Sequence, residues 1–143
     1  MAIDLIPALN ISSSGLDAES ARMDAVANNL ANVNSTGGDN GDVYKRRIPV
    51  FNAVFNDQLN DKRPADELGG VKLEKMALDN KNPLTVYAPY HPNADAKGMV
   101  SMPNISPIEE MLDMITSTRA YEANLNVMNE SKKMADKTVN LFK

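Results

Sequence analysis

Hydrophobic positions fall on two helical stripes at the ends of the chain and break into short runs between them. Over residues 1–36, Leu9, Leu16, Met23 and Leu30 recur at seven-residue intervals, with Val26 and Val33 three residues after Met23 and Leu30. This spacing puts them on one stripe of a helix wound slightly tighter than 3.6 residues per turn, the pattern of a coiled coil. Pro7 restricts any helix ahead of it, so the first several residues are expected to be loose. Ser12-Ser13-Ser14-Gly15 is a poor helix interior, where the helix is expected to fray or break. Ala18, Ala21, Ala25, Ala27 and Ala31 keep the segment slim, and the helix is predicted to stop near Ser35-Thr36-Gly37-Gly38.

Residues 37–107 are rich in Gly and Pro, with short β-like runs at 43–50, 71–73, 84–87 and 99–102, each bounded by turn residues. They predict a small, loop-rich β insertion whose core is too thin to stand alone, and which leans on the helices or on a neighbouring subunit.

Residues 108–143 carry the strongest pattern. Met114, Thr118, Tyr121, Leu125, Met128, Lys132, Ala135, Val139 and Phe142 alternate spacings of four and three residues. Pro107 suits the start of a helix, and Glu109 and Glu110 sit where a helix N-terminus favours negative charge. A helix of this span is roughly 50 Å long. Each large residue on its stripe gains about 1.5–3 kcal/mol when packed, so the stripe needs a partner. The N-terminal stripe is the simplest one. The expected fold is therefore mainly α with a small β insertion, its N- and C-terminal helices paired as an antiparallel coiled-coil hairpin. Leu112, Ile115, Ala120 and Val127 lie outside that seam and are too apolar for a free surface. They imply contact among more than two helices, and hence assembly.

Four asparagines, Asn28, Asn29, Asn32 and Asn34, interrupt the first stripe. Asn is a mediocre helix former. Either the cluster caps a fraying helix end, or the amides of Asn28 and Asn32 bond between helices and fix their register, as a buried polar residue does in coiled coils.

Enzyme chemistry finds little support. The chain of 143 residues has no Cys and a single histidine, His91, in the turn-like Pro89-Tyr90-His91-Pro92. Neither a catalytic triad nor a zinc site is easily built from that. Glu109 and Glu110 are adjacent on a helix and point about 100° apart, so they read as complements to the helix dipole rather than an acid/base pair. Residues 38–42 resemble part of a calcium loop but lack its ligand spacing and closing Glu, and a polar turn is the simpler reading. Lys45-Arg46-Arg47 reads as a solvated strand edge, or else as a contact to another subunit. Met111, Met114, Met128 and Met134 read as core or subunit packing, not a cofactor pocket. No cofactor or metal is expected. With 15 basic and 19 acidic residues the net charge is −4, which disfavours nucleic acid as a partner. The N-terminus lacks a basic start and does not read as a cleavable secretory signal, and no stretch is long enough to cross a membrane.

Ala27-Asn28-Asn29-Leu30-Ala31-Asn32-Val33-Asn34-Ser35-Thr36, preceded by Ser14-Gly15-Leu16-Asp17-Ala18, resembles the N-terminal signature of bacterial flagellar rod and hook proteins. Ser117-Thr118-Arg119-Ala120-Tyr121-Glu122-Ala123-Asn124-Leu125 resembles the matching C-terminal signature. The segment from His91 to Ile105 is similar to that of a proximal rod member of this axial family. The resemblance implies a structural subunit of the proximal rod, exported by the flagellar type III system without a cleaved signal peptide and assembled in the periplasm. It implies other rod proteins (FlgB, FlgF, FlgG), the adaptor FliE and the chain itself as partners. It adds Arg119 and Asn124 to the polar packing positions. Residues 37–43 depart from the family's turn, and the charged stretch 57–68 matches nothing in it. The alternative is a secreted, monomeric helical binding module, which would hold a stable hairpin in dilute solution, whereas an isolated rod subunit is expected to have largely unfolded termini.

Overall fold

In the computed structural model the described residues are 6–37, 42–54 and 69–141. The expectations for the start of the chain, for residues 38–41, for 57–68 and for Phe142 lie outside them. Two helices carry the fold: α1 (Ile6–Ala31) and α2 (Pro107–Leu141), of 26 and 35 residues. Between them lie β1 (Arg47–Val54), β2 (Gly70–Leu78), β3 (Leu84–Tyr87) and β4 (Met99–Met102). β1 pairs antiparallel with β2, with a bulge between Val50 and Phe51, and β3 pairs antiparallel with β4. The chain is mainly α with a small β region, as its pattern predicts, and the last two strands match the predicted runs. The first begins later than expected, at Arg47, following Tyr44, which bonds to Asn29 on α1, and Arg46, which bonds to Glu110 and Asp113 on α2.

α1 runs through Ser12-Ser13-Ser14-Gly15 without a break. The weak helix formers are sites of close approach. The Ser14 hydroxyl donates to the Ile11 carbonyl at 2.7 Å and accepts from the Val71 N–H at 3.2 Å, joining α1 to β2. At Gly15 a Cβ would meet Asn124 Nδ2 at 2.9 Å, so the missing side chain is what lets α2 come near. Opposite Ser14, Gly70 has φ +152°, and a Cβ there would lie 2.7 Å from the serine oxygen. Tertiary contacts thus outweigh propensity along this stretch.

The helix ends at Ala31, ahead of the predicted stop. Asn28 Nδ2 donates to the Asp24 carbonyl and Asn32 Nδ2 to the Asn28 carbonyl, at 2.7 and 2.8 Å. Asn side chains compete for backbone groups in this way, and the chain leaves the helix through a turn over residues 32–34. Gly37 N–H then donates to the Ser101 carbonyl, and Asn93 Nδ2 to the Thr36 hydroxyl, fastening the exit of α1 to β4 and to the loop before it.

The two helices lie side by side and antiparallel. Asn29 meets Glu110, Met23 meets Thr118 and Gly15 meets Asn124, so positions rise along one helix as they fall along the other. The β1–β2 pair packs on α1. The apolar core is slender: Ala18, Ala25, Val26, Val100 and Ile105 are its buried hydrophobic residues.

The loop from β3 to β4 is closed by Asp95, whose carboxylate accepts the N–H groups of Lys97 and Met99 at 2.8 and 2.9 Å. Those bonds hold its pKa below the usual aspartate value. Gly98 follows with φ +73°, and a Cβ there would lie 3.0 Å from the Pro89 Cβ and 3.1 Å from the Tyr87 ring. Replacing Gly98 by Val is expected to cost about 1 kcal/mol or more, through both strain and crowding. Thermal unfolding followed by circular dichroism measures this, and an unchanged Tm would show that the loop is not anchored as described.

Candidate assembly site

Among the described residues the largest fully buried side chain carries a carboxylate. Glu110, in the first turn of α2, has 0% exposure. Its Oε1 accepts from Arg46 Nε at 2.5 Å and its Oε2 from Asn29 Nδ2 at 2.9 Å. Asn29 Nδ2 also donates to the Arg47 carbonyl at 3.0 Å, while Asn29 Oδ1 accepts the Arg47 N–H at 2.8 Å and the Tyr44 hydroxyl at 3.0 Å. The Asn29 amide therefore treats Arg47 as a neighbouring strand would, satisfying both of its backbone groups at the start of β1. Arg46 Nη2 reaches on to Asp113 at 3.2 Å. One node thus joins the end of α1, the start of β1 and the start of α2.

The electrostatics follow from this geometry. Partial burial works against the Arg46 charge, but the hydrogen bond and charge of Glu110, with Asp113 and Glu109 behind them, hold its pKa above the ordinary arginine value. Burial raises the Tyr44 pKa, opposed by Arg47 and reinforced by Glu110. Both Glu110 oxygens are engaged, so the group serves as a fixed anion in a structural lattice.

Three sequence expectations change here. Glu109 and Glu110 do not act alike: Glu109 stays exposed and Glu110 turns inward, because α2 meets α1 at its first turn. The basic run is not a solvated edge throughout. Arg46 is drawn into the node, while Lys45 and Arg47 are exposed, Arg47 lying over the Tyr44 ring at 5.9 Å. Asn28 and Asn32 bond within their own helix and Asn34 is exposed. The interhelical amide is that of Asn29, one position from the expected pair. It continues the helical spacing Ala18, Arg22, Ala25, Asn29, a stripe beside the predicted Leu/Met one.

The seam is displaced in the same sense. Leu9, Leu16, Met23, Leu30 and Val33 are half-buried on its flank, as are Met114, Tyr121 and Met128 on α2. Leu125 and Val139, expected inside, are 37% and 62% exposed. Ser117 and Ser131 are buried in their place, and Asn124 and Thr138 are half-buried. Ser117, Asn124, Ser131 and Thr138 keep the seven-residue period but shift it by one position from Thr118, Leu125, Lys132 and Val139. The observed seam is therefore rich in small polar residues, facing Ser12, Gly15, Ala18 and Ala25 on α1. Small facing side chains shorten the interhelical distance. Arg119 is exposed.

Large apolar side chains face outward instead. Ile108 is 77% exposed, and Met111, Leu112 and Ile115 are exposed on the first turns of α2, away from Glu110, Met114 and Ser117. Val127, Met134, Val139 and Leu141 are exposed further along. By the register of the pair, the turn around Met134 lies level with Ile6, and residues 135–141 run past it. A cleft of about 160 Å³ beside the node, lined by Tyr44, Arg46, Asp79, Lys81 and Pro103 among others, is below the roughly 300 Å³ at which ligand pockets begin. Among the described residues no group of three or more His, Asp or Glu is placed to hold a metal ion. His91 sits in a turn, its Nδ1 accepting the Asn93 N–H at 3.1 Å.

Both ends of the chain match family models: residues 9–38 that of the flagella basal body rod protein, and residues 96–141 that of the flagellar basal body rod FlgEFG protein C-terminal region. Full-length relatives agree. The chain is 40% identical to the flagellar basal-body rod protein FlgC of Aquifex aeolicus, over 99% of each chain. It is 38% identical to that of Bacillus subtilis, over 94% of this chain and 96% of the relative. For that of Salmonella typhimurium the identity is 36%, over 96% and 97%.

The node sets a stability prediction. Arg46→Met leaves Glu110 buried without its cation, and is expected to cost about 3–5 kcal/mol. Glu109→Gln, one residue away and exposed, is expected to stay within about 0.5 kcal/mol. Urea unfolding of the two variants beside the parent measures both, and equal midpoints would remove the node from the list of stabilising contacts.

Proposed function

We propose a mode of assembly for a chain that belongs to the FlgC family of flagellar basal-body rod proteins and is, with that family, a structural subunit of the rod. The outward apolar face of α2 is the surface that neighbouring subunits cover. One observation carries this reading: Ile108, Met111, Leu112 and Ile115 form an exposed cluster directed away from the chain's own partner helix. A few hundred Å² of contiguous apolar surface on a small chain marks an interaction site. Covering it gains about 1.5–3 kcal/mol per large side chain.

In this reading the subunit builds the proximal rod, within the periplasm, after leaving the cell through the flagellar type III export system with no cleaved signal peptide. Support comes from the segment at 91–105, which resembles that of proximal rod proteins. Its neighbours are further copies of itself, the rod proteins FlgB, FlgF and FlgG, and the adaptor FliE. Leu9, Leu16, Met23 and Leu30 on α1, Val33 in the turn after it, and Met114, Tyr121 and Met128 on α2 serve the contact within the subunit. Leu125 and Val139, open to solvent in the single chain, serve contacts between subunits, as does Phe142. No step of the role calls for catalysis.

Leu112→Asp changes an exposed position and should leave the isolated subunit's stability within about 0.5 kcal/mol, whereas Leu125→Asp, at a position 37% exposed, should cost more. Cells carrying either variant as their sole copy should still export it but assemble no rod. Swimming in soft agar and electron microscopy of basal bodies read the outcome. A normally swimming Leu112→Asp strain would sink the assignment of the outward face.

A further inference from the structure

α1 has an outward stripe of its own. Ser13, Asp17, Ser20, Asp24, Ala27 and Ala31 follow one another at four- and three-residue spacings, all are exposed, and none is larger than aspartate. On α2 the outward stripe runs Ile108, Leu112, Ile115, Arg119 at the same alternation, also all exposed. One stripe is flat and acidic; the other is bulky, apolar and ends in a cation. Arg119 makes no ion pair among the described residues.

We infer that the outward face of α2 docks on the outward face of α1 of a second copy, antiparallel, with Arg119 paired to Asp24 of that copy. The inference rests on the rod-subunit reading above and specifies which faces meet. Orientation and register follow from size and charge. Setting Leu112 beside Ala31 and Ile115 beside Ala27 puts the branched side chains over the two alanines, where a helix presents the least bulk. It also brings Arg119 level with Asp24 and Glu122 level with Ser20. Sliding by one turn sets Ile115 on Asp24 and Glu122 against Asp17, a buried apolar–acid contact and a like-charge pair, both unfavourable. A parallel arrangement that keeps Arg119 at Asp24 lays Leu112 on Asp17 and sets Glu122 and Asn126, not apolar side chains, level with Ala27 and Ala31. The two faces belong to different helices of one chain, so the contact is heterologous. Each copy offers a free α1 face and a free α2 face, and the association propagates around a ring or along a helix instead of stopping at a dimer.

The chain has no cysteine, so single cysteines report the contact without background. Ala31→Cys and Leu112→Cys are expressed together in flagellated cells lacking the parent copy, and isolated basal bodies are treated with a short bis-maleimide. A crosslinked dimer is expected from the mixture and not from either variant alone. Dimers from Leu112→Cys alone would mean that α2 meets α2, and no dimer despite both variants in the basal bodies would also overturn the inference. A chain that never enters basal bodies, even unmutated, would instead defeat the rod reading itself. Charge exchange covers the case where these cysteines block assembly. Asp24→Arg and Arg119→Asp should each abolish the swimming halo and together restore it; two independent losses with no restoration would overturn the pairing.

Discussion

The end of α1, the start of β1 and the first turn of α2 are arranged around a buried carboxylate. Glu110 cannot leave water without a cation and donors to replace it, since an unpaired buried charge costs several kcal/mol. Arg46 and Asn29 supply them, and neither lies near Glu110 in sequence. Satisfying the carboxylate therefore fixes three elements at once: the end of α1, the start of β1 and the first turn of α2. Among the described residues the buried apolar core is five residues, too few to do this alone. Hydrophobic contact is non-directional, whereas a carboxylate, a guanidinium and an amide meet in few geometries.

The same node explains the composition of the seam. Helices held at one end by polar contacts need little apolar glue along their length, and small residues suffice. Gly15, Ala18 and Ala25 on one side, and Ser117 and Ser131 on the other, let the pair lie close. A seam of serines and alanines has almost no preference for one register over the next, because a slide of one turn replaces like with like. Glu110 has a strong preference. Register is specified at the node and merely tolerated below it.

How much of this could be read in advance depends on which signal is followed. Element type and order were legible, because a 3.6-residue period, clustered Gly and Pro, and short alternating runs are local properties; β3 and β4 fall on the expected residues. The seam lies one position from the apolar stripe because small polar residues, not the large apolar ones, face inward. Leu125 and Val139 stay exposed in the single chain, whereas Asn124 and Thr138, one position earlier, are half-buried. Asn29 was in view but hidden among three other asparagines. Only the partner at Glu110, 81 residues on, distinguishes it from Asn28. Arg46 was invisible for the same reason: a charge in a basic run looks solvated until its counter-ion is located in space.

This division of labour has a consequence for how such a subunit can exist both alone and assembled. A chain whose large apolar residues formed its own seam would be stable alone and have little left to gain from neighbours. One whose seam was empty would have no defined shape to present to them. Here the polar node and the small-residue seam give α1 and α2 a fixed mutual orientation at modest apolar cost, leaving Ile108, Leu112 and Ile115 outward. Because those residues sit on the same first turns of α2 that carry Glu110, the group that sets register also aims the outward face. A shift of α2 by one residue would rotate that face by about 100°. The buried ion pair therefore also determines in which direction the subunit is hydrophobic.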